Sequence, residues 1–95
     1  MPGDPGERRR AVEIAPDFLD DLRHLAATNP RLVVRLTELM TAACRDPFRG
    51  IGKPEPLRHV GPDHWSRRLT DEHRLVYRVE RDRITFLRAR GHYGR

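Results

Sequence analysis

Glu55 stands between Pro54 and Pro56. Flanking prolines stiffen the backbone, so a carboxylate held between them can be aimed. A glutamate is ionised at neutral pH and can accept a proton. Near the other end of the chain His92 is followed by Tyr93. An imidazole holds and releases a proton near neutral pH, and an aromatic ring can stack on a splayed base. Arg74, Arg68, Arg58 and Lys53 supply positive charge. The guanidinium fork pairs bidentately with phosphate, and lysine acts as a point charge. Taken singly, each residue has a plainer reading. Glu55 could be a loop carboxylate paired with an arginine, His92 an exposed terminal histidine and Tyr93 a ring packed at a sheet edge. The cations could be ordinary surface charges, and for Lys53 charge and position are the whole case.

Other residue types that carry chemistry fit it less well. His24, His59, His64 and His73 follow no zinc-ligand spacing, and Cys44 is the single cysteine. No metal is expected. Cys44 lies in an apolar helical pattern and reads as a small buried hydrophobe. His73 can shape a site through its place beside Arg74.

The net charge of +5 comes from nineteen Lys and Arg against fourteen Asp and Glu. Its distribution is uneven. Residues 1–46 hold seven Arg against eight acids, and residues 47–95 hold eleven Arg and Lys53 against six acids. A basic second half suggests a polyanion-binding surface there. A lone cysteine suits a reducing cytoplasm. No apolar stretch of ~18 residues spans a membrane, and the polar N-terminus with Pro2, Gly3, Pro5 and Gly6 is unlike a signal peptide.

The elements that must position these residues can be read from periodicity. Residues 1–8 read as a disordered lead-in to one domain over 9–95. Residues 9–14 form a short strand with Val12 and Ile14 on one face. Pro16 and Asp17 start a helix carrying Phe18, Leu22 and Leu25. Asn29-Pro30 caps and starts a second, with Leu32, Val33, Leu36, Leu39, Met40 and Ala43 as its apolar stripe. Pro47 stops it.

A loop rich in Gly and Pro comes next, with room for a short strand near Leu57. Strands then fall at 66–70, 73–79 and 83–90, with turns at Thr70-Asp71-Glu72 and Arg81-Asp82. Short connections favour an antiparallel sheet. Two helices packed on one face of that sheet make a two-layer α+β domain whose other face is open. Alternation puts Arg74, Val76 and Arg78 on the open face, and Leu75, Tyr77 and Val79 in the core. Trp65, Ile84 and Phe86 read as packing residues.

Three blocks resemble a known family. Pro47-Phe48-Arg49-Gly50-Ile51-Gly52-Lys53-Pro54-Glu55-Pro56-Leu57 is similar to a loop of the YoeB/Txe toxins, which belong to type II toxin–antitoxin modules within the RelE/ParE superfamily. Trp65-Ser66-Arg67-Arg68 with Asp71-Glu72-His73-Arg74-Leu75-Val76-Tyr77 resembles the family's next strand–turn–strand, and His92-Tyr93 the C-terminal pair. Residues 1–8 precede the family's first strand, and Gly94-Arg95 extend past Tyr93.

The resemblance implies a RelE-like fold and a metal-free endoribonuclease. This mRNA interferase would work in the ribosomal A site, inhibit translation and leave a 2′,3′-cyclic phosphate. It implies a YefM-like antitoxin, a homodimer, ribosome and mRNA as partners, and no cofactor. Such cleavage needs a base, an acid, positive groups at the phosphorane-like transition state, and something to hold the nucleotide in line. On that reading Glu55 is the base and His92 the acid, with the two roles exchangeable. Arg74 stabilises charge, Arg58, Arg68 and Lys53 bind phosphates, and Tyr93 orients the nucleotide. A gyrase-inhibiting toxin like ParE would need no such set. A non-cleaving ribosome or RNA binder would rest on charge alone.

Overall fold

A computed structural model describes residues 10–91, in the order β1 (Ala11–Ile14), α1 (Pro16–Thr28), α2 (Pro30–Arg45), β2 (Glu55–Pro56), β3 (His64–Arg68), β4 (Arg74–Val79) and β5 (Arg83–Arg88). Both helices begin on proline, whose missing N–H costs nothing there. Asn29 takes the N-cap position of α2, but its side chain makes no capping hydrogen bond. The helix ends at Arg45, with Asp46 as its C-cap before buried Pro47. Asp46 then accepts the Phe48 N–H through Oδ1 and turns the chain.

Phe18 and Leu25 from α1 and Leu36, Leu39 and Ala43 from α2 are buried against Leu75, Tyr77, Val79, Ile84 and Phe86 of the sheet. Their spacings of three, four and seven residues bring each helical set onto one face. Burying a Leu or Phe side chain stabilises by about 1.5–3 kcal/mol. Phe86 ties the layers together, with ring centroids 5.9 Å from Phe18 and 6.2 Å from Tyr77.

The sheet order is β1-β5-β4-β3-β2. Three pairings are antiparallel, as the short turns require, but β1 runs parallel to β5. The expected antiparallel sheet is thus a mixed one. The hairpin rule covers strands joined by tight turns, and β1 meets β5 only after both helices and three strands have intervened. The short strand expected near Leu57 is β2, which brings Glu55 opposite Ser66.

One irregularity matters for the site. Tyr77 pairs with Phe86, yet Val76 pairs with Arg88, so β5 carries one extra residue, Leu87. A bulge of this kind bends the strand and re-aims the residues beyond it. It shifts residues 88–91 by one place along β4.

Candidate active site

The loop from Asp46 to Lys53 is folded around one buried arginine. Arg67 points to the helix side of β3 and is 0% exposed. Its Nη2 donates to the carbonyls of Asp46 (2.6 Å) and Arg49 (2.8 Å), its Nη1 to Ile51 (2.9 Å) and its Nε to the Tyr77 hydroxyl (3.0 Å). The Tyr77 hydroxyl donates onward to the Pro47 carbonyl at 2.6 Å. Burial pushes the Tyr77 hydroxyl's pKa up, opposed by Arg67, so it stays a protonated donor. Only a planar fork with several N–H groups could satisfy these acceptors together. Charge counting assigns Arg67 to a polyanion-binding surface. Its place opposite Leu75 on the core side makes it the organiser of the loop instead.

The loop then passes three residues in the left-handed region, Gly50 (φ 117°), Gly52 (φ 83°) and Lys53 (φ 51°). Gly52 lies so close to Leu39 that a Cβ would come within 2.8 Å of Leu39 Cδ2, and its carbonyl accepts the Arg68 N–H at 2.6 Å. Lys53, with a side chain, holds a conformation that costs about 1 kcal/mol or more. This stretch delivers the chain to Glu55 in a fixed direction.

Glu55, Ser66 and Val76 lie across β2, β3 and β4 on the open face, one row from Arg68 and Arg74. Arg74 Nη1 donates to Glu55 Oε1 at 3.1 Å and to Ser66 Oγ at 3.3 Å. The Arg74 side chain is 11% exposed and that of Glu55 is 59% exposed. Arg68 stands directly opposite Arg74, and like charges in that relation destabilise a sheet. Arg74 turns to Glu55, and Arg68 reaches Asp71 only at 4.0 Å. Val76 is buried at 2% although it faces the open side, where alternation predicts contact with solvent.

Gly91 is held beside this pair. The Arg74 N–H donates to the Gly91 carbonyl at 3.1 Å, and the Gly91 N–H donates to His73 Nδ1 at 3.1 Å. From the helix layer, buried Asp21 accepts Arg88 Nε (2.9 Å) and Nη2 (3.3 Å) and the N–H groups of Ala89 (2.9 Å) and Arg90 (3.2 Å). Burial raises the Asp21 carboxyl's pKa, but these donors and the charge of Arg88 outweigh it and hold the pKa below 3.8.

The fold therefore joins Glu55, Arg74 and Arg68. Lys53 and Arg58 are exposed, with no ion pair among the described residues. His92 and Tyr93 lie outside the described residues, as does the lead-in at 1–8. Trp65 packs on the core and on the Phe48 ring at 5.0 Å, and Cys44, whose pKa burial raises, packs there too. Sequence reasoning does not single out Ser66, Arg67 or Asp21. A serine, an arginine and an aspartate carry no pattern that separates a buried role from a solvated one.

The family described as YoeB-like toxin of bacterial type II toxin–antitoxin system matches residues 14–93. Toxin RelK of Mycobacterium tuberculosis is 48% identical over 84 residues, covering 88% of this chain and 99% of that protein. Toxin YoeB of Escherichia coli is 46% identical over 74 residues, covering 78% of this chain and 88% of that protein.

Among solved structures, a YoeB/ParE toxin from Agrobacterium tumefaciens superposes with a TM-score of 0.80 at 38% identity, over 87% of this chain and 99% of that one. A YoeB dimer from Staphylococcus aureus gives 0.81 at 31% identity, over 90% and 99%. A YoeB–YefM complex from the same organism gives 0.75 at 32% identity, again over 90% and 99%. The loop that presents Glu55, the strands that carry Arg68 and Arg74, and the likeness along most of its length place this chain in the YoeB-like toxin family of bacterial type II toxin–antitoxin systems.

Proposed function

We propose that this toxin inhibits translation as an endoribonuclease that cuts mRNA in the ribosomal A site, without a metal. The observation that carries the reading is the contact of Glu55 with Arg74 on the open sheet face. A proton acceptor and an anion stabiliser stand 3.1 Å apart, with Arg68 across from Arg74 and the backbone of Gly91 bonded to the Arg74 N–H. His92 comes directly after Gly91 in the chain.

Glu55 takes the proton of a ribose 2′-hydroxyl, and the 2′-oxygen attacks the adjacent phosphorus. The bond from phosphorus to the 5′-oxygen breaks, and His92 protonates that leaving oxygen. The products are a 2′,3′-cyclic phosphate and a 5′-hydroxyl end. An entering phosphate draws Arg74 from Glu55, freeing the base as the charge stabiliser engages. Arg58, Arg68 and Lys53 hold flanking phosphates, and Tyr93 orients the nucleotide. The toxin acts in the cytoplasm, dimerises, and is neutralised by a YefM-like antitoxin, a partnership supported by the relatives solved as a YoeB dimer and as YoeB–YefM complexes.

The test is primer extension on mRNA engaged by ribosomes, with Glu55→Ala and His92→Ala beside the unaltered chain and EDTA in a parallel reaction. Discrete A-site cuts that survive EDTA and fall about 10²–10⁴-fold in either variant support the reading. Ribosome stalling without cuts, the same in both variants, would move the protein to the non-cleaving binders.

A further inference from the structure

Asp21 lies on α1, in the helix layer, and takes no part in the proposed chemistry. It is nonetheless 2% exposed, and among the described residues every hydrogen bond its carboxylate accepts comes from residues 88–90. Two of those donors are the backbone N–H groups of Ala89 and Arg90, which lie just past the end of β5. The regular strand ladder stops at Arg88, and the bulge at Leu87 has already shifted its register. A carboxylate supplies the acceptors for the Ala89 and Arg90 N–H groups. It takes two successive N–H groups and the Arg88 fork at once, which is possible only for an ionised acid with two oxygens. Gly91 is then fixed from the other side by His73 Nδ1 and the Arg74 N–H.

We propose that Asp21 is a positioning residue. It fixes the path of residues 88–91 beside the Arg74 backbone, and His92 is the next residue in the sequence. The inference rests on the nuclease reading, since it gives Asp21 a role only if His92 is the acid. It explains why a charged group occupies a core position on α1 where Phe18 and Leu25 are its buried neighbours on the same helix. A misplacement of about 1 Å at a reacting group from a residue outside the chemistry can cost about a hundredfold in rate.

The test is a double-mutant cycle in the ribosome-dependent cleavage assay. Single-turnover rates are measured for the unaltered chain, Asp21→Asn, His92→Ala and the double variant. Ribosome affinity by filter binding and a thermal melt accompany each. Asp21→Asn is expected to lower the cleavage rate about a hundredfold with ribosome affinity unchanged, and to add little once His92 is gone. Full cleavage by a folded Asp21→Asn protein would overturn the inference. So would losses that multiply in the double variant, which would mark Asp21 as a general structural residue.

If Asp21→Asn shows no cooperative melt, Arg88→Gln takes its place in the cycle, with a smaller loss that must likewise vanish beside His92→Ala. A loss that persisted there would overturn the inference. If the unaltered chain makes no cuts, the nuclease reading itself falls and takes the inference with it. That outcome is distinct from an active chain that is indifferent to Asp21.

Discussion

Replacing Arg67 by methionine should come near to unfolding the protein. The side chain is fully buried and its fork makes four hydrogen bonds of 2.6–3.0 Å, three to backbone carbonyls and one to Tyr77. Hydrogen bonds to a charged group are worth about 1.5–3 kcal/mol each, so simple addition would exceed the stability of many domains. Two discounts apply. Asp46, Arg49 and Ile51 are exposed, so water can reclaim their carbonyls. Removing the cation also removes the cost of burying it.

The Tyr77 hydroxyl and the carbonyl of buried Pro47 fare worse, because Arg67 orients the hydroxyl that donates to Pro47. A net loss of about 3–5 kcal/mol is expected, the range seen when a buried polar network is broken. At about 4–8 °C per kcal/mol for a chain of this size, Tm should fall by roughly 12–40 °C. Thermal and urea unfolding monitored by circular dichroism would measure it. Arg67→Lys keeps the charge but cannot reach four acceptors, so it should also be strongly destabilised. A Tm within about 5 °C of the parent for both variants would refute the role assigned to the fork.

Gly52→Ala should destabilise by about 2 kcal/mol or more, measured in the same denaturation assay, because the new methyl meets Leu39 and the backbone holds φ 83°. The Asp21 carboxyl's pKa is lower in the folded state than its ordinary 3.8, so the unfolded chain takes up this proton first. Its stabilising contribution is therefore complete above pH 3.8 and is lost as pH falls below it. Asp21→Asn should flatten that acid limb in melts taken from pH 6 to pH 2. Ribosome affinity should fall steeply between about 50 and 200 mM salt, and Arg58→Ala or Lys53→Ala should each reduce the slope by about one, read by filter binding across the range.

Much of this protein is written locally. Phe18, Leu22 and Leu25 repeat at helical spacing, Pro16 and Pro30 mark where helices begin, and Leu75, Tyr77 and Val79 alternate as a half-buried strand must. Such patterns need only the residues within one or two turns, so both helices and the three later strands are legible in the sequence. The segment around Glu55 and the Trp65 and His73 blocks are also legible, through their likeness to a family. The features that pattern cannot reach depend on residues far apart in the chain. Asp21 meets Arg88 across 67 positions, and Arg67 meets Asp46 across 21.

The parallel meeting of β1 with β5, the bulge at Leu87 and the burial of Val76 have the same origin. Side-chain type and spacing alone can name Glu55 and Arg74 as groups able to do chemistry. Only the register of β2, β3 and β4 brings them to 3.1 Å on one face. The physical reason is that periodicity sets which way a side chain points, whereas strand pairing and the polar contacts of a folded core set what it points at.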